Sequence, residues 1–228
     1  MLSNNKPHSP LPFIIAVYVT ALILRPILAV KIITIFSINF PAGILVFPLS
    51  FICNDIFTEV YGFNLSKRII QAGLIAQVLS MTVISIAIYS PAAIFWNNQT
   101  AYETILGQTP RLAIASLIGC YFGEIVNSIV MSKMKFRSGS NLELQMQYRF
   151  VVSTLFGELI DSLLYIGIGF LGVYSFHNVV MLILTTWLGK TVYEVLLLPV
   201  STAVCRYVKE SEGIDTVDEP AVTEYGVI

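Results

Sequence analysis

PAGILVFPLSFIC, residues 41–53, runs without a single charge and leads into NDIFTEVYGF, residues 54–63. Within that second segment Asp55 and Glu59 stand four residues apart, on one side of any helix that continues through them. The run is either the core helix of a soluble domain or part of a membrane span, and the rest of the chain decides. Hydrophobic residues make up 56% of the 228 residues and charged residues 12%, with a mean hydropathy of +0.78. A soluble domain carries about 25% charged residues. Apolar stretches near the ~20-residue length that crosses a bilayer account for most of the sequence. The expected class is all-α: a polytopic bundle of six transmembrane helices.

Those helices are expected near 12–35, 41–60, 67–90, 111–133, 150–173 and 178–207. Pro26 interrupts the first, and Pro41 and Pro48 disturb the second, so both are candidates for a kink or an opened backbone. The polar segment FWNNQTAYETILGQTP, 95–110, separates the third from the fourth, and its Trp96 and Tyr102 suit a membrane interface. The division that follows is a cytosolic N-terminal segment over 1–11, a six-helix transmembrane bundle over 12–208 and an acidic cytosolic tail over 209–228. The first segment is short and polar and runs into an apolar stretch without a clear cleavage site, which reads as a retained span. The tail, acidic and poor in large aliphatics, has the composition of a disordered segment.

Lys6, Lys67, Arg68, Lys133, Lys135, Arg137, Arg149, Arg206 and Lys209 all fall on one side of a six-span arrangement. The opposite loops hold none, with Arg111 at the border of one. The positive-inside rule therefore predicts both termini in the cytoplasm. A net charge of −1 and no basic surface give no reason to expect nucleic acid. Cys53, Cys120 and Cys205 sit singly in apolar surroundings and read as small buried hydrophobes. No metal-ligand spacing or cofactor motif occurs, so neither is expected.

The acids carry the functional signal. Six of fourteen lie in the tail, Glu103 and Glu143 lie in loops, and Asp55, Glu59, Glu124, Glu158, Asp161 and Glu194 fall in spans. A charge at the bilayer centre costs at least ~2.5–3.5 kcal/mol on insertion scales, so these groups must turn inward, pair or be protonated. Arg25, Lys31 and Lys190 are too few to pair them all, and Lys190 and Glu194 are spaced to pair with each other. An internal echo reinforces the point: FGEIVNSI, 122–129, matches FGELIDSL, 156–163, so that Glu124, Asn127 and Ser128 correspond to Glu158, Asp161 and Ser162. A polar interior walled by apolar side chains is how a helix bundle builds a small-molecule site. Interhelical glue is the plainer reading for any one amide or hydroxyl, and a solvated interface position is the plainer one for Glu59.

FPLSFICNDIFTEVYGFNLSKRII, RFVVSTLFGELIDSLLY and WLGKTVYEVLLLPVSTAV together resemble the bacterial queuosine-precursor transporter family, which belongs among the vitamin uptake transporters. The resemblance runs from the first helix to about residue 208. Its most specific part is the D-x-x-T-E-V-Y-G run of 55–62 combined with G-E-L-I-D-S at 157–162, while Arg25-Pro26 stands where relatives more often have small polar residues. The resemblance implies a six-helix protein of the bacterial inner membrane, similar in architecture to the substrate-binding subunits of energy-coupling-factor transporters. It implies import of a 7-deazaguanine base such as 7-cyano-7-deazaguanine, 7-aminomethyl-7-deazaguanine or queuine. One carboxylate can accept both N–H groups of a guanine-like edge. Glu158, Asp161, Asp55 and Glu124 are the first candidate ligands, followed by Asn54, Glu59, Gln77, Asn127, Lys190 and Glu194. Phe51, Tyr61, Phe122, Phe156, Tyr165 or Tyr193 are candidates to stack on the base.

Two couplings are open at this stage: a proton carried by one of the carboxylates, or an ATP-driven module. Since no Walker motif occurs, an ATPase would be another chain. From another class, an intramembrane enzyme is disfavoured, because the G-x-G-D signature of a membrane aspartyl protease is absent and neither histidine lies deep in a span.

Overall fold

The computed structural model describes residues 9–35, 38–107, 110–138, 143–219, 223 and 225. The expected N-terminal segment is thus described only from Ser9 onward. Seven helices follow in order: α1 Leu11–Ala29, α2 Phe47–Tyr61, α3 Phe63–Tyr89, α4 Gln99–Leu106, α5 Pro110–Ser138, α6 Glu143–Phe170 and α7 Phe176–Glu212. Among the described residues six stretches are long and apolar enough to cross a membrane, the fourth of them running from α4 through α5. Large apolar side chains on the outer faces, among them Ile75, Leu79 and Leu196, are exposed. A lipid-facing surface requires that arrangement, and a soluble one would not tolerate it over so wide an area.

The first two helices differ from the sequence expectation. The first ends at Ala29 rather than 35, and an antiparallel hairpin follows, β1 Ile32–Ile35 with β2 Ile38–Pro41, pairing Ile33 with Phe40 and Thr34 with Asn39. The run Ile-Ile-Thr-Ile is β-branched, which favours a strand over a helix once Pro41 prevents helical continuation. A 3₁₀ turn, Ala42–Leu45, then leads into α2. That turn lies against α1 at its internal proline: a Cβ on Gly43 would come within 2.7 Å of the Arg25 carbonyl oxygen. The long polar segment after α3 is not wholly irregular, since α4 forms within it.

α5 and α6 pack as an antiparallel pair, and the internal echo lies at their crossing. A Cβ on Gly123 would meet Asp161 Cβ at 2.8 Å and the Gly157 carbonyl at 2.9 Å. Reciprocally, a Cβ on Gly157 would meet Asn127 Cβ at 2.8 Å and the Gly123 carbonyl at 2.9 Å. Each copy of the FGE motif thus supplies a glycine on which the other helix rests, giving a local two-fold relation between the two segments. Gly119 continues the same face, where a Cβ would approach Tyr165 Cβ at 3.2 Å. Small residues allow this closeness, the usual device of helix association in lipid. The outcome is that Glu124 and Glu158, next to those glycines, are both buried.

The tail also departs from expectation. α7 runs to Glu212, and the described residues beyond it lie against the end of the bundle. The Thr216 amide donates to the Val60 carbonyl at 2.9 Å. Asp218 Oδ2 accepts from the Phe63 amide at 2.8 Å and from the Ser132 hydroxyl at 2.7 Å. The break between α2 and α3 at Gly62, with φ of +85°, leaves the first amides of α3 without helical partners. Asp218 caps them from a distant part of the chain, as an acid at a helix N-terminus does. Two of the acidic residues of the tail thus have structural partners, Asp218 as this cap and Asp215 as a counterion to Lys135 and Lys209.

Candidate functional site

Polar groups inside the bundle form three groups, distinguished by their partners. The first is an ionic hub at one end of α2. Glu59 is fully buried, and Arg149 donates to both its oxygens, at 2.6 Å from Nη2 and 3.3 Å from Nε. Lys209 lies 2.8 Å and Lys135 3.7 Å from Glu59 Oε1. Asp215 of the tail joins through Lys209 at 2.9 Å and through Lys135. Burial favours the neutral form of Asp215, but the hydrogen bonds from Lys135 and Lys209 outweigh it and hold the carboxyl below the ordinary aspartate range. Glu59 is therefore not a solvated interface residue, and both its oxygens are occupied.

The second group is a neutral knot. Asn54 Oδ1 accepts from the Ser66 hydroxyl at 2.9 Å and the Ser128 hydroxyl at 3.0 Å, while its Nδ2 donates to the Glu124 carbonyl at 3.1 Å. Thr58 bonds to the same two serines at 3.0 Å each. These contacts tie α2, α3 and α5 together, so Asn54 acts as interhelical glue.

The third group fills the interior between α1, α2, α5, α6 and α7. Lys190 Nζ donates to Asp161 Oδ2 and lies 3.0 Å from Glu158 Oε2. Arg25 Nη2 lies 3.7 Å from Asp161 Oδ1, and its Nη1 donates to Cys120 Sγ at 3.9 Å. Both cations sit over the ring of Phe47, with Lys190 Nζ at 4.6 Å and Arg25 Cζ at 5.5 Å from its centroid. Tyr18 donates its hydroxyl to Glu124 Oε2. Beyond them, Asn127 Nδ2 donates to Asp55 Oδ1 at 2.7 Å, and the Thr154 hydroxyl donates to Glu194 Oε1 at 2.8 Å.

Among the buried atoms of this third group with no hydrogen-bond partner among the described residues are five on α5 and α6: Glu124 Oε1, Asn127 Oδ1, Glu158 Oε1, Asp161 Oδ1 and Ser162 Oγ. Leaving one such group unsatisfied costs ~1–3 kcal/mol, and a concentration of them in one place is a feature that folding alone does not favour. Four are acceptors only, or acceptors in the orientation found. What they can do chemically is receive N–H donors from a ligand.

The echo therefore brings Glu124, Asn127, Glu158, Asp161 and Ser162 into one interior region, and Asp55, Lys190 and Glu194 adjoin it. Glu59 and Asn54 belong to the hub and the knot. Gln77 lines a different cavity, of about 60 Å³, with Ile23, Pro26, Ser80, Met81 and Ile105. The expected pair of Lys190 with Glu194 does not form among the described contacts; Lys190 reaches across to α6 instead. Of the aromatic candidates, Phe122 and Phe156 are on the outer face and exposed, whereas Phe51 is buried. Lys31 is likewise exposed and outside the interior.

Sequence reasoning missed Tyr18, Phe47 and Thr154, and gave Arg25 too small a part. The signal that would have found Arg25 is its placement one residue before an in-helix proline, deep in a span, where a guanidinium needs a carboxylate.

The family described as "Putative vitamin uptake transporter" matches residues 41–204. The "Probable queuosine precursor transporter" of Bacillus subtilis (strain 168) is 25% identical over 185 residues, covering 80% of this chain and 79% of that protein. No solved structure matches the chain.

Proposed function

The chain belongs to the vitamin uptake transporter family, and on that premise we propose that it imports a queuosine precursor, a 7-deazaguanine base, across the inner membrane of a bacterium. A family of transporters, with a relative named as one, sets aside the intramembrane-enzyme alternative. The relative's name supports the substrate class. The observation that carries the reading is the set of buried acceptors on α5 and α6 that have no hydrogen-bond donor among the described residues. A guanine-like edge presents a ring N–H and an exocyclic amine side by side, and a buried carboxylate accepts both in a charge-assisted, bidentate fashion. Glu158 and Asp161 take that role, with Glu124, Asn127 and Ser162 completing the edge recognition. Lys190 or Arg25 donates to the carbonyl of the base.

In this structure the Lys190 ammonium lies against Glu158 and Asp161, where the N–H groups of a base would sit. Binding then exchanges the Lys190 ammonium for the N–H groups of the base and gives donors to the oxygens that lack them. The nine Lys and Arg residues on one side of the six spans orient the ionic hub and the tail toward the cytoplasm.

The test uses cells unable to make any precursor. Supplying each base in turn while expressing this chain restores queuosine in tRNA for the bases it carries. Glu158→Ala and Asp161→Ala each abolish the rescue while the protein remains in the membrane. Normal rescue by both variants defeats the assignment of the site, and no rescue by the unaltered chain with any base defeats the substrate.

A further inference from the structure

Asp55 on α2 and Glu194 on α7 line a common cavity of about 10 Å³, together with Thr154, Phe150 and Ser201. That is room for a single water. Both side chains are buried, Asp55 at 1% and Glu194 at 5% exposure. Neither has a cation within ion-pair distance among the described residues. Their hydrogen bonds come from neutral groups, Asn127 and Thr154, and Glu194 Oε2 has none.

We propose that Asp55 and Glu194 hold one proton between them in this arrangement, and that this pair is the proton-binding site that couples transport. The proposal rests on the transport reading above and adds its source of energy. Two buried carboxylates lining one small cavity with no cation in ion-pair distance disfavour double ionisation, because their repulsion and the loss of hydration add. A shared proton, carried directly or through the cavity, removes one charge and gives Glu194 Oε2 a hydrogen to donate or accept.

The surroundings have been assigned elsewhere, element by element. On α2, Glu59 is held by Arg149 and Lys209, and Cys53 is an uncharged thiol. From α1, Arg25 is directed to Asp161 and Cys120, and Tyr18 to Glu124. From α3, Ser66 and Gln77 are neutral. From α5, Glu124 takes the Tyr18 hydroxyl, and Lys135 is directed to Glu59 and the tail. From α6, Glu158 faces Lys190, and Arg149 faces Glu59. From α7, Lys190 lies one turn before Glu194 but bonds to Asp161, and Cys205 is a thiol. Among the described residues no cation lies within ion-pair distance of either carboxyl; Lys190 acts on Glu194 only from farther off, and Glu158 adds negative charge against it.

The cycle conserves protons. One proton enters from the outer side and is retained while α2 and α7 stay packed together. When α2 and α7 part and water enters, hydration of the carboxylates restores the charged form and the proton leaves on the inner side with the base.

The experiment has two arms. Infrared spectra of the purified full-length protein in lipid vesicles at neutral pH should show a protonated-carboxyl band, shifted in deuterium oxide and diminished in both Asp55→Asn and Glu194→Gln. No such band, or one that neither substitution changes, overturns the proposal whatever the protein transports. In the second arm, 7-cyano-7-deazaguanine, 7-aminomethyl-7-deazaguanine or queuine is added to vesicles in weakly buffered medium. The outer medium should become more alkaline in step with uptake, and an inwardly directed proton gradient should drive accumulation severalfold above equilibration. Uptake with no proton movement overturns the coupling. If no base enters at all, the substrate reading fails, and the infrared arm still decides whether the pair holds a proton.

Discussion

Lys190 illustrates how a single side chain decides the character of the interior. Spacing along one helix suggests Glu194 as its partner, yet the ammonium crosses to Asp161 and Glu158. Two carboxylates on α6 attract a lysine more strongly than one on its own helix, where an i, i+4 pair is worth only ~0.2–0.5 kcal/mol. Lys190→Met should therefore abolish base uptake, and Lys190→Arg should retain a measurable part of it in the tRNA rescue assay. Glu59 makes the contrasting case. Glu59→Ala removes the carboxylate shared by Arg149, Lys135 and Lys209. Breaking a buried pair costs about 3–5 kcal/mol, so unfolding of the purified protein in detergent should occur at clearly lower temperature. A Glu59→Ala protein of unchanged thermal stability that has lost only base binding would move Glu59 back among the ligands. The acids in the spans and the echo were legible from residue type and spacing alone. Which acid meets which base was not, because contacts between helices depend on rotations that no local pattern records.

Among elements, the α5–α6 pair carries the argument. Gly123 and Gly157 rest on the opposite backbone within 2.9 Å of where a side chain would begin. A valine at either position forces the helices apart and shifts Glu124 and Glu158 together. Overpacking of this kind costs ~1–3 kcal/mol, and Gly157→Val should lower both thermal stability and uptake. Gly189→Ala, at a position where an added Cβ meets nothing within 4 Å, should leave both unchanged. The spans themselves were readable, since length and hydropathy suffice for a membrane helix. The β1–β2 hairpin was not: an apolar run of eight or so residues suits a strand or a helix equally, and the β-branched character of Ile32–Ile35 is the one local clue. The start of α6 and both ends of α7 also lie beyond the expected limits, while α6 ends at Phe170, short of 173. Helices continue past the lipid whenever polar residues keep helical propensity, and hydropathy is blind to that extension. At 37 residues, α7 is about 55 Å long, well beyond the ~30 Å hydrocarbon core.

At the scale of the whole molecule, the described contacts divide the two ends of the bundle by chemistry. One end is tied by the hub that joins α2, α5, α6, α7 and the tail. Because the folded-state pKa of Asp215 is depressed, its contribution to tail docking is fully present above the ordinary aspartate value of about 3.9. It is lost as pH falls further, through the lower folded-state value. Limited proteolysis of vesicles exposing this end should leave the tail protected at neutral pH and release it only under acid conditions below about pH 4. Asp215→Asn should expose it at neutral pH. A tail cleaved equally fast at both pH values in the unaltered protein would contradict the docking. Asp218 on the Phe63 amide, and Thr216 on the Val60 carbonyl, have a bearing on biosynthesis as well. These residues leave the ribosome after all six spans, so the broken α2–α3 corner waits, uncapped, until the last helix has been inserted. Closure of that end thereby reports completed assembly, and a chain stalled before residue 215 would remain loose at the corner its missing segment was to fasten.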